Sequence, residues 1–376
     1  MKKIQEEDDF IMSVVFRNTK LILVIIISIT VFIISILGGA LGNQFGGGFL
    51  GAPLAHIQIS AETVTKIKIT DGYKYALTNT VIATWLSIFV LLLLSLFVKK
   101  SISDVPGRLQ SIAEIIVEFF LNLAESMTSP EKARKFLPLV LTIFLFVLTS
   151  NWLGILPGFG TIGKIESRED AIHHAQDLAE IQGKKFDESD VHTIIFDGEG
   201  SFGLLPIGSI RNVKDHDDHS SDHKSDEHKH KAVEKGKQEG LLIPYFRSAN
   251  TDLNTTLAIA IVAMVLVHFW GFSILGFGSH LSKFINFKSG PVGFFVGILE
   301  GISEFARIIS FTFRLFGNIF AGEVLLFAMA FLLPLIGIIP FLGLELFVGL
   351  IQALIFSVLT LVFASMATVS HGDEGH

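Results

Sequence analysis

Several long runs of apolar residues constrain this chain more than any other feature of its sequence. They cover approximately residues 21–41, 79–98, 137–156, 253–275, 292–333 and 341–368. Each run is at least about 20 residues long, which is the length that a helix needs to cross the hydrocarbon core of a bilayer. Backbone polar groups must be paired in lipid, and the short alternating segments of a membrane barrel are absent from the sequence. The pattern predicts an all-α polytopic membrane protein, in agreement with a composition that is 50% hydrophobic and only 17% charged.

The distribution of lysine and arginine orients these runs. Lys99 and Lys100 follow the second run, and the positive-inside rule therefore places residues 99–136 in the cytoplasm. Residues 1–42 form an N-terminal hydrophobic segment, which is either a signal peptide or an extra span. The remaining expected divisions are an outer-face segment (43–78), the first spans with a cytoplasmic amphipathic helix (79–163), an outer-face insertion (164–250), three further apolar runs (251–368) and a cytoplasmic tail (369–376).

The insertion is acidic and rich in histidine. Residues 164–239 hold 11 Lys/Arg and 18 Asp/Glu, so this segment accounts for the whole formal charge of −7. The composition favours a solvated low-complexity insert, although Ile194-Ile-Phe and Phe202-Gly-Leu-Leu indicate that part of it folds. The alternative is a metal-binding or pH-responsive surface. Its candidate metal ligands are His216, His219, His223, His228 and His230.

Arg314 lies deep inside the run 292–333. A charged side chain near the middle of a bilayer costs about 2.5–3.5 kcal/mol even on lenient insertion scales, and it is therefore usually functional. The guanidinium of Arg314 keeps its proton in proteins. Arg314 can therefore hold or repel an ionisable group, but it cannot itself carry a proton.

Carboxylates also occur at membrane depth, away from the face of Arg314. Glu323 lies about 2.5 helical turns beyond Arg314 and so points to the opposite side of the same helix. Glu345 and Gln352 are two turns apart on the last run and share a face. Such groups predict an aqueous proton path through the membrane.

Other polar residues near the ends of the runs have plainer interpretations. Glu300 or Glu304 can form a structural ion pair with Arg307 at the cytoplasmic end. Asp252 and Asn254 begin the run 253–275 and are expected to line an outer vestibule.

The run Arg314-Leu-Phe-Gly-Asn318-Ile-Phe-Ala-Gly322-Glu323 resembles the signature of F-type ATP synthase subunit a, the stator subunit of the proton-conducting sector. The resemblance covers roughly residues 75–163 and 247–368 in the family's order. It includes Val105-Pro-Gly-Arg108, Asn151-Trp152, Thr251-Asp-Leu-Asn-Thr-Thr256 and Gln352-Ala-Leu-Ile-Phe. It implies five family-type hydrophobic helical regions, with the last two long and tilted along a rotor ring, plus the extra N-terminal segment.

The resemblance also implies roles for individual residues. Arg314 holds the position of the essential arginine that faces the ring, and Asn318 matches an asparagine one turn away. Glu323 and Gln352 match positions on the outer half-channel, and Glu300 matches a glutamate near the cytoplasmic exit. Two features depart from the family pattern. Glu345 occupies a position where some members carry histidine and others glutamate, and Arg307-Ile308 replaces an arginine–proline pair that is common in bacterial members.

The expected function is that of a stator subunit with two offset half-channels, which passes protons to and from the carboxylates of a subunit c ring. The implied partners are the subunit c ring, the subunit b stator stalk, other ATP synthase subunits and membrane lipid, without nucleic acid or a cofactor. The sequence holds no Gly-x-x-x-x-Gly-Lys-Ser/Thr loop, so no catalytic site for ATP is expected on this chain. The expected location is the bacterial inner (plasma) membrane, ahead of the mitochondrial inner membrane. The alternative functions are a divalent-metal transporter that uses the His-rich loop and a purely scaffolding subunit.

Overall fold

The computed structural model describes residues 2–43, 47, 49–50, 59–70, 73–182, 194–197, 201–204, 237–282, 284 and 290–369. The five candidate metal-binding histidines and almost all of the C-terminal tail lie outside these residues. The helices within them are α1 (Lys2–Gly38), α2 (Ala40–Asn43), α3 (Asn79–Ser101), α4 (Arg108–Met127), α5 (Pro130–Gly154), α6 (Arg168–Gln182), α7 (Leu253–Leu275), α8 (Phe277–Leu281), α9 (Gly290–Leu332) and α10 (Ile338–Ala367). The strands are β1 (Thr63–Thr70), β2 (Tyr73–Thr78), β3 (Pro157–Gly160), β4 (Ile162–Ser167), β5 (Ile194–Asp197), β6 (Phe202–Leu204) and β7 (Lys237–Pro244).

Five of the described helices, α3, α5, α7, α9 and α10, are long and apolar enough to cross a membrane. The apolar part of α1, Ile22–Gly38, is shorter than these five. The predicted class, an all-α polytopic membrane protein with five long hydrophobic helices and an additional N-terminal one, is confirmed.

Helices α9 and α10 exceed the length of an ordinary span. Helix α9 has 43 residues, which corresponds to about 64 Å at 1.5 Å per residue. The hydrocarbon core is only about 30 Å thick, so α9 fits a bilayer only with a strong tilt or with ends outside the core. Pro340 lies in the first turn of α10. A proline is tolerated there because the first N–H groups of a helix lack an intrahelical partner.

One compact unit comprises Ile57–Lys164, Ile243–Glu323 and Leu344–His376. Its core is formed by helices α4, α5, α7, α9 and α10. Small residues at the contacts let the helices approach closely, and Phe311 of α9 packs against Phe356 and Phe363 of α10, with ring centroids 4.6 and 5.4 Å away. The buried alanines at these contacts are Ala133, Ala260, Ala263, Ala353 and Ala364.

The segment before α3 forms an antiparallel hairpin, which the sequence does not predict. Strands β1 and β2 pair in a register that begins at Thr63 with Thr78. Asn79, the first residue of α3, donates from its side-chain amide to Glu62 at 3.2 Å. The hairpin is thereby joined directly to the start of the first family-type span.

The other compact unit comprises Met1–His56, Ile165–Leu242 and Val324–Gly343. Within it, the Ser35 hydroxyl of α1 accepts hydrogen bonds from the N–H groups of Leu335 and Ile336 at 3.2 and 3.3 Å. The insertion contributes to a four-stranded sheet with the order β5-β7-β4-β6. The prediction that Ile194-Ile-Phe and Phe202-Gly-Leu-Leu fold is confirmed for the described strands β5 and β6.

Candidate functional site

Arg314 lies on an exposed face of α9. Its nearest polar contact is the Ser310 hydroxyl, one turn earlier, at 3.5 Å. Among the residues that the structure describes, no carboxylate forms an ion pair with Arg314. The guanidinium is therefore directed out of the subunit, without a counter-charge from the described chain.

A row of small side chains runs along the face of α9 that carries Arg314. Going along the helix at intervals of three or four residues, these are Ser303, Ala306, Ser310, Gly317 and Ala321. Asn318, one turn beyond Arg314, is also exposed, and the space where a Cβ of Gly317 would lie is open. A helix face of small residues allows another helix to approach its backbone closely.

Glu323 lies on the other side of α9 and is paired with Arg247. The guanidinium donates from Nε to both carboxylate oxygens at 3.2 Å and from Nη2 to Oε2 at 3.0 Å. Both side chains are largely buried, with exposed fractions of 7% for Arg247 and 19% for Glu323. Arg247 also donates to the carbonyl of Ser60 at 3.3 Å, which fixes the guanidinium from a third direction.

Arg247 is not among the site residues predicted from the sequence. The signal that was available is its position between β7 and α7, on the predicted outer face, where the positive-inside rule disfavours cations. A cation that flanks a span on that side is informative because it needs a local partner.

Glu345 of α10 reaches the same region from a neighbouring helix. Its carboxylate lies against the backbone of Gly322, so closely that a Cβ built on this glycine would overlap it. Within the described residues, no hydrogen bond or ion pair engages the Glu345 carboxylate. Gln352, two turns later on α10, is buried. The structure therefore brings Glu345 near Glu323, with Gln352 further along the same helix.

A polar network holds the helix ends around this region. The Asn151 amide donates to the Gly349 carbonyl at 3.1 Å and its Oδ1 accepts from Asn250 at 2.7 Å. Trp152 Nε1 donates to the Leu346 carbonyl at 3.1 Å. These contacts join the end of α5 and the turn before α7 to the first half of α10.

Asp252 belongs to this network as a capping residue. It is buried, accepts from the Asn254 N–H at 3.0 Å as the N-cap of α7, and accepts from the Thr80 hydroxyl at 3.1 Å. Asn254 itself is exposed. The vestibule role of these two residues stays a prediction.

A second charged cluster joins α7, α8 and α9 at the other end of the bundle. Arg307 pairs with Glu304, and His268 Nε2 lies 3.6 Å from the second oxygen of Glu304. His268 Nδ1 lies 3.3 Å from His280 Nε2, and the Arg307 guanidinium lies 4.6 Å from the centre of the Phe363 ring. The predicted Glu304–Arg307 pair is confirmed. Glu300, four residues earlier, is half-buried.

Metal binding finds no support in the described part of the chain, where no three His, Cys, Asp or Glu residues are arranged to hold an ion. The candidate ligands His216, His219, His223, His228 and His230 lie outside it. Their metal-binding role therefore stays a prediction.

The five candidate spans, the outward-facing arginine and the partly buried carboxylates define a polytopic helical membrane protein with ionisable groups within its long apolar helices. A family model described as ATP synthase A chain matches residues 81–365. The ATP synthase subunit a of Gloeobacter violaceus is 26% identical over 296 residues, which cover 79% of this chain and 86% of the relative. The ATP synthase subunit a of Helicobacter pylori strain Shi470 is 26% identical over 295 residues, 77% of this chain and 89% of the relative. The chain belongs to the ATP synthase A chain family.

Proposed function

We propose that this chain is the stator subunit of a rotary F-type ATP synthase and provides two offset half-channels for protons. The observation that carries the proposal is Arg314, which faces outward among small residues without a counter-charge in the described chain. A partner that presents a carboxylate at membrane depth would complete this site. The carboxylates of a subunit c ring have that chemistry.

Arg314 suits this role because it cannot lose its proton. An ionised rotor carboxylate is attracted to the guanidinium, and it must take up a proton before it moves into lipid. A fixed positive charge between two half-channels also repels protons that would otherwise cross directly. Asn318 lies one turn away on the same exposed face and is proposed to contact the arriving rotor helix.

Glu323, Glu345 and Gln352 are proposed to line the outer half-channel. Helix α3 ends in Lys99 and Lys100, which marks that end of the bundle as cytoplasmic. The start of α3, at the opposite end, is joined to the start of α7 through Thr80 and Asp252, which supports an outer position for both helix starts.

The inner half-channel is proposed to pass Glu300. It lies 14 residues before Arg314 on α9, or about 21 Å along the helix axis. A path along this part of α9 would connect Arg314 with the cytoplasmic end of the bundle, where a released proton would leave. The Glu304–Arg307 pair is assigned a structural role because both partners are engaged.

The work that one translocated proton can do is small, which explains why proton transport would be coupled to ATP synthesis through a rotor. Moving one charge through 100 mV is worth about 2.3 kcal/mol, so the work of several translocations must be accumulated for each ATP. This chain is proposed to act with the subunit c ring, the subunit b stalk and the other subunits, in a bacterial inner (plasma) membrane. ATP chemistry would belong to those partner subunits.

The test is Arg314→Ala in the complete synthase, in inverted membrane vesicles. ATP-driven proton pumping should be abolished, whereas passive proton leak through the membrane sector should persist or rise. Arg168→Gln is the matched control, because Arg168 forms a partly exposed ion pair with Glu239 in the insertion, and neither residue belongs to a candidate span. Normal coupled pumping by the Arg314→Ala complex would overturn the proposal.

A further inference from the structure

The two glutamates of the proposed outer half-channel have different surroundings. Both carboxylate oxygens of Glu323 accept from the Arg247 guanidinium, at 3.0–3.2 Å. The carboxylate of Glu345 lies against the Gly322 backbone, and no cation contacts it among the described residues. Two residues that look equivalent in the sequence therefore differ in what they can do.

We propose that Arg247 fixes Glu323 as a permanently ionised, orienting anion and leaves Glu345 as the group that carries the proton. This inference rests on the proposed function and assigns different roles to the two glutamates of the outer half-channel. Arg247 is a positioning residue, since it acts through Glu323.

The charge state of Glu323 follows from the geometry. Three charge-assisted hydrogen bonds from a guanidinium, which keeps its own proton, strongly favour the ionised carboxylate. Protonating Glu323 would break these bonds and leave Arg247 as an unpaired, buried cation, which is costly. Glu323 is therefore unsuited to repeated protonation and deprotonation.

Glu345 has the complementary properties. It is half-buried, on a helix whose buried Gln352 lies two turns further along. Of the two glutamates, Glu345 is the one that can accept a proton without breaking an ion pair. The proton moves from outer water to Glu345 and then onward to the rotor carboxylate, with no other bond formed or broken.

The position of Arg247 explains how the pair is maintained. It lies in the turn between β7 and α7, and its Nη1 also donates to the Ser60 carbonyl at 3.3 Å. The Phe320 ring of α9 lies 5.9 Å from the guanidinium carbon. These contacts hold the guanidinium in one orientation, so that Glu323 cannot turn towards Glu345.

The experiment starts from membrane vesicles that carry the assembled synthase and removes the catalytic sector. Passive proton flux through the remaining membrane sector is then measured per complex. Glu345→Gln should lower the flux at least tenfold, because the carrier is lost. Arg247→Gln and Glu323→Gln should each lower it severalfold, since each leaves one buried charge without its partner. The double variant Arg247→Gln/Glu323→Gln should conduct better than either single variant, because Glu345 is retained and no lone charge remains.

Three outcomes would overturn the inference. The first is that the double variant conducts as poorly as Glu345→Gln. The second is that Arg247→Gln conducts like the wild type, and the third is that Glu345→Gln conducts normally. If Arg247→Gln alone does not assemble, the double variant carries the test, because it leaves no unpaired charge. Arg168→Gln, which breaks a partly exposed Arg–Glu pair of the insertion, is the control and should not change the flux.

Failure of this inference is distinguishable from failure of the proposed function. Coupled pumping by Arg314→Ala would overturn the function itself. Loss of pumping in Arg314→Ala, together with a non-conducting Arg247→Gln/Glu323→Gln complex, would overturn only the division of roles between the two glutamates.

Discussion

Replacing Gly322 by alanine should impair proton conduction while leaving the fold intact. A Cβ at this position would overlap both carboxylate oxygens of Glu345 and its carboxyl carbon. The overlapping atoms are the far end of a flexible side chain, so Glu345 can swing away without a shift of either helix. Alanine is also favoured over glycine within a helix by about 1 kcal/mol, which offsets part of the strain.

The size of the effect follows from the displaced carboxylate. Inserting a methyl group into an occupied space costs about 1–3 kcal/mol. If this cost falls on the wild-type position of Glu345, the population of that position drops by about 5- to 150-fold, since each 1.4 kcal/mol is a factor of ten. Proton flux through the outer half-channel should fall by a similar factor if Glu345 is the carrier.

The assay compares Gly322→Ala with Gly301→Ala on the same helix, where the added methyl group meets nothing within 4 Å. Both complexes should assemble and melt as the wild type does. Passive proton flux per complex should fall only in Gly322→Ala. Wild-type flux in Gly322→Ala would refute the reasoning, and an equal loss in Gly301→Ala would show that the effect is unrelated to Glu345.

Two further predictions concern stability. Asp252→Ala removes the N-cap of α7 and the partner of Thr80, and it should lower the free energy of unfolding by about 0.5–2 kcal/mol, measured as a decrease in melting temperature in detergent. The exposed Asn254→Ala should leave that temperature unchanged, and equal melting of the two variants would contradict the capping role. Glu304→Gln leaves Arg307 without its carboxylate, and it should cost less than the about 3–5 kcal/mol of a fully buried pair, because both side chains retain some exposure. An unchanged melting temperature for Glu304→Gln would show that the pair contributes nothing to stability.

The sequence predicts the spans well because lipid leaves few alternatives. Helices α3 and α7 begin at the residues where the apolar runs begin, Asn79 and Leu253. The amphipathic pattern after Val105 likewise predicts α4. Helix α5 begins at Pro130, earlier than its apolar run, because a helix extends into water wherever its polar residues allow. Hydropathy therefore identifies the part of a helix that lies in lipid, but it does not identify the residue at which the helix begins or ends.

The strands before α3 and in the insertion could not be predicted with the same ease. Their apolar residues are few, and the pairing of β5 with β7 joins Ile194 to Gly240 across more than 40 residues. Such pairing depends on tertiary contacts rather than on local propensity. The short apolar run at Ile194 indicates folding but does not identify a partner strand.

The candidate site shows the same division between local and tertiary information. Helical geometry alone places Glu323 opposite Arg314, and the structure has them on different sides of α9. Helical geometry cannot tell that Arg247, 76 positions away, pairs with Glu323. Nor can it tell that Glu345 lies against Gly322, since both contacts depend on how separate segments pack.

The central claim is that the face of α9 around Arg314 contacts a rotor helix with a carboxylate at membrane depth. Disulfide cross-linking tests it most directly, because the chain contains no cysteine. Ser310→Cys and Ala321→Cys on this face would be combined with a cysteine next to the mid-membrane carboxylate of the subunit c ring, and Val265→Cys, exposed on α7, is the control. If the Arg314 face of α9 contacts the rotor helix, cross-links form from both α9 positions and none forms from Val265→Cys. Cross-links from Val265→Cys, with none from Ser310→Cys or Ala321→Cys, would contradict it.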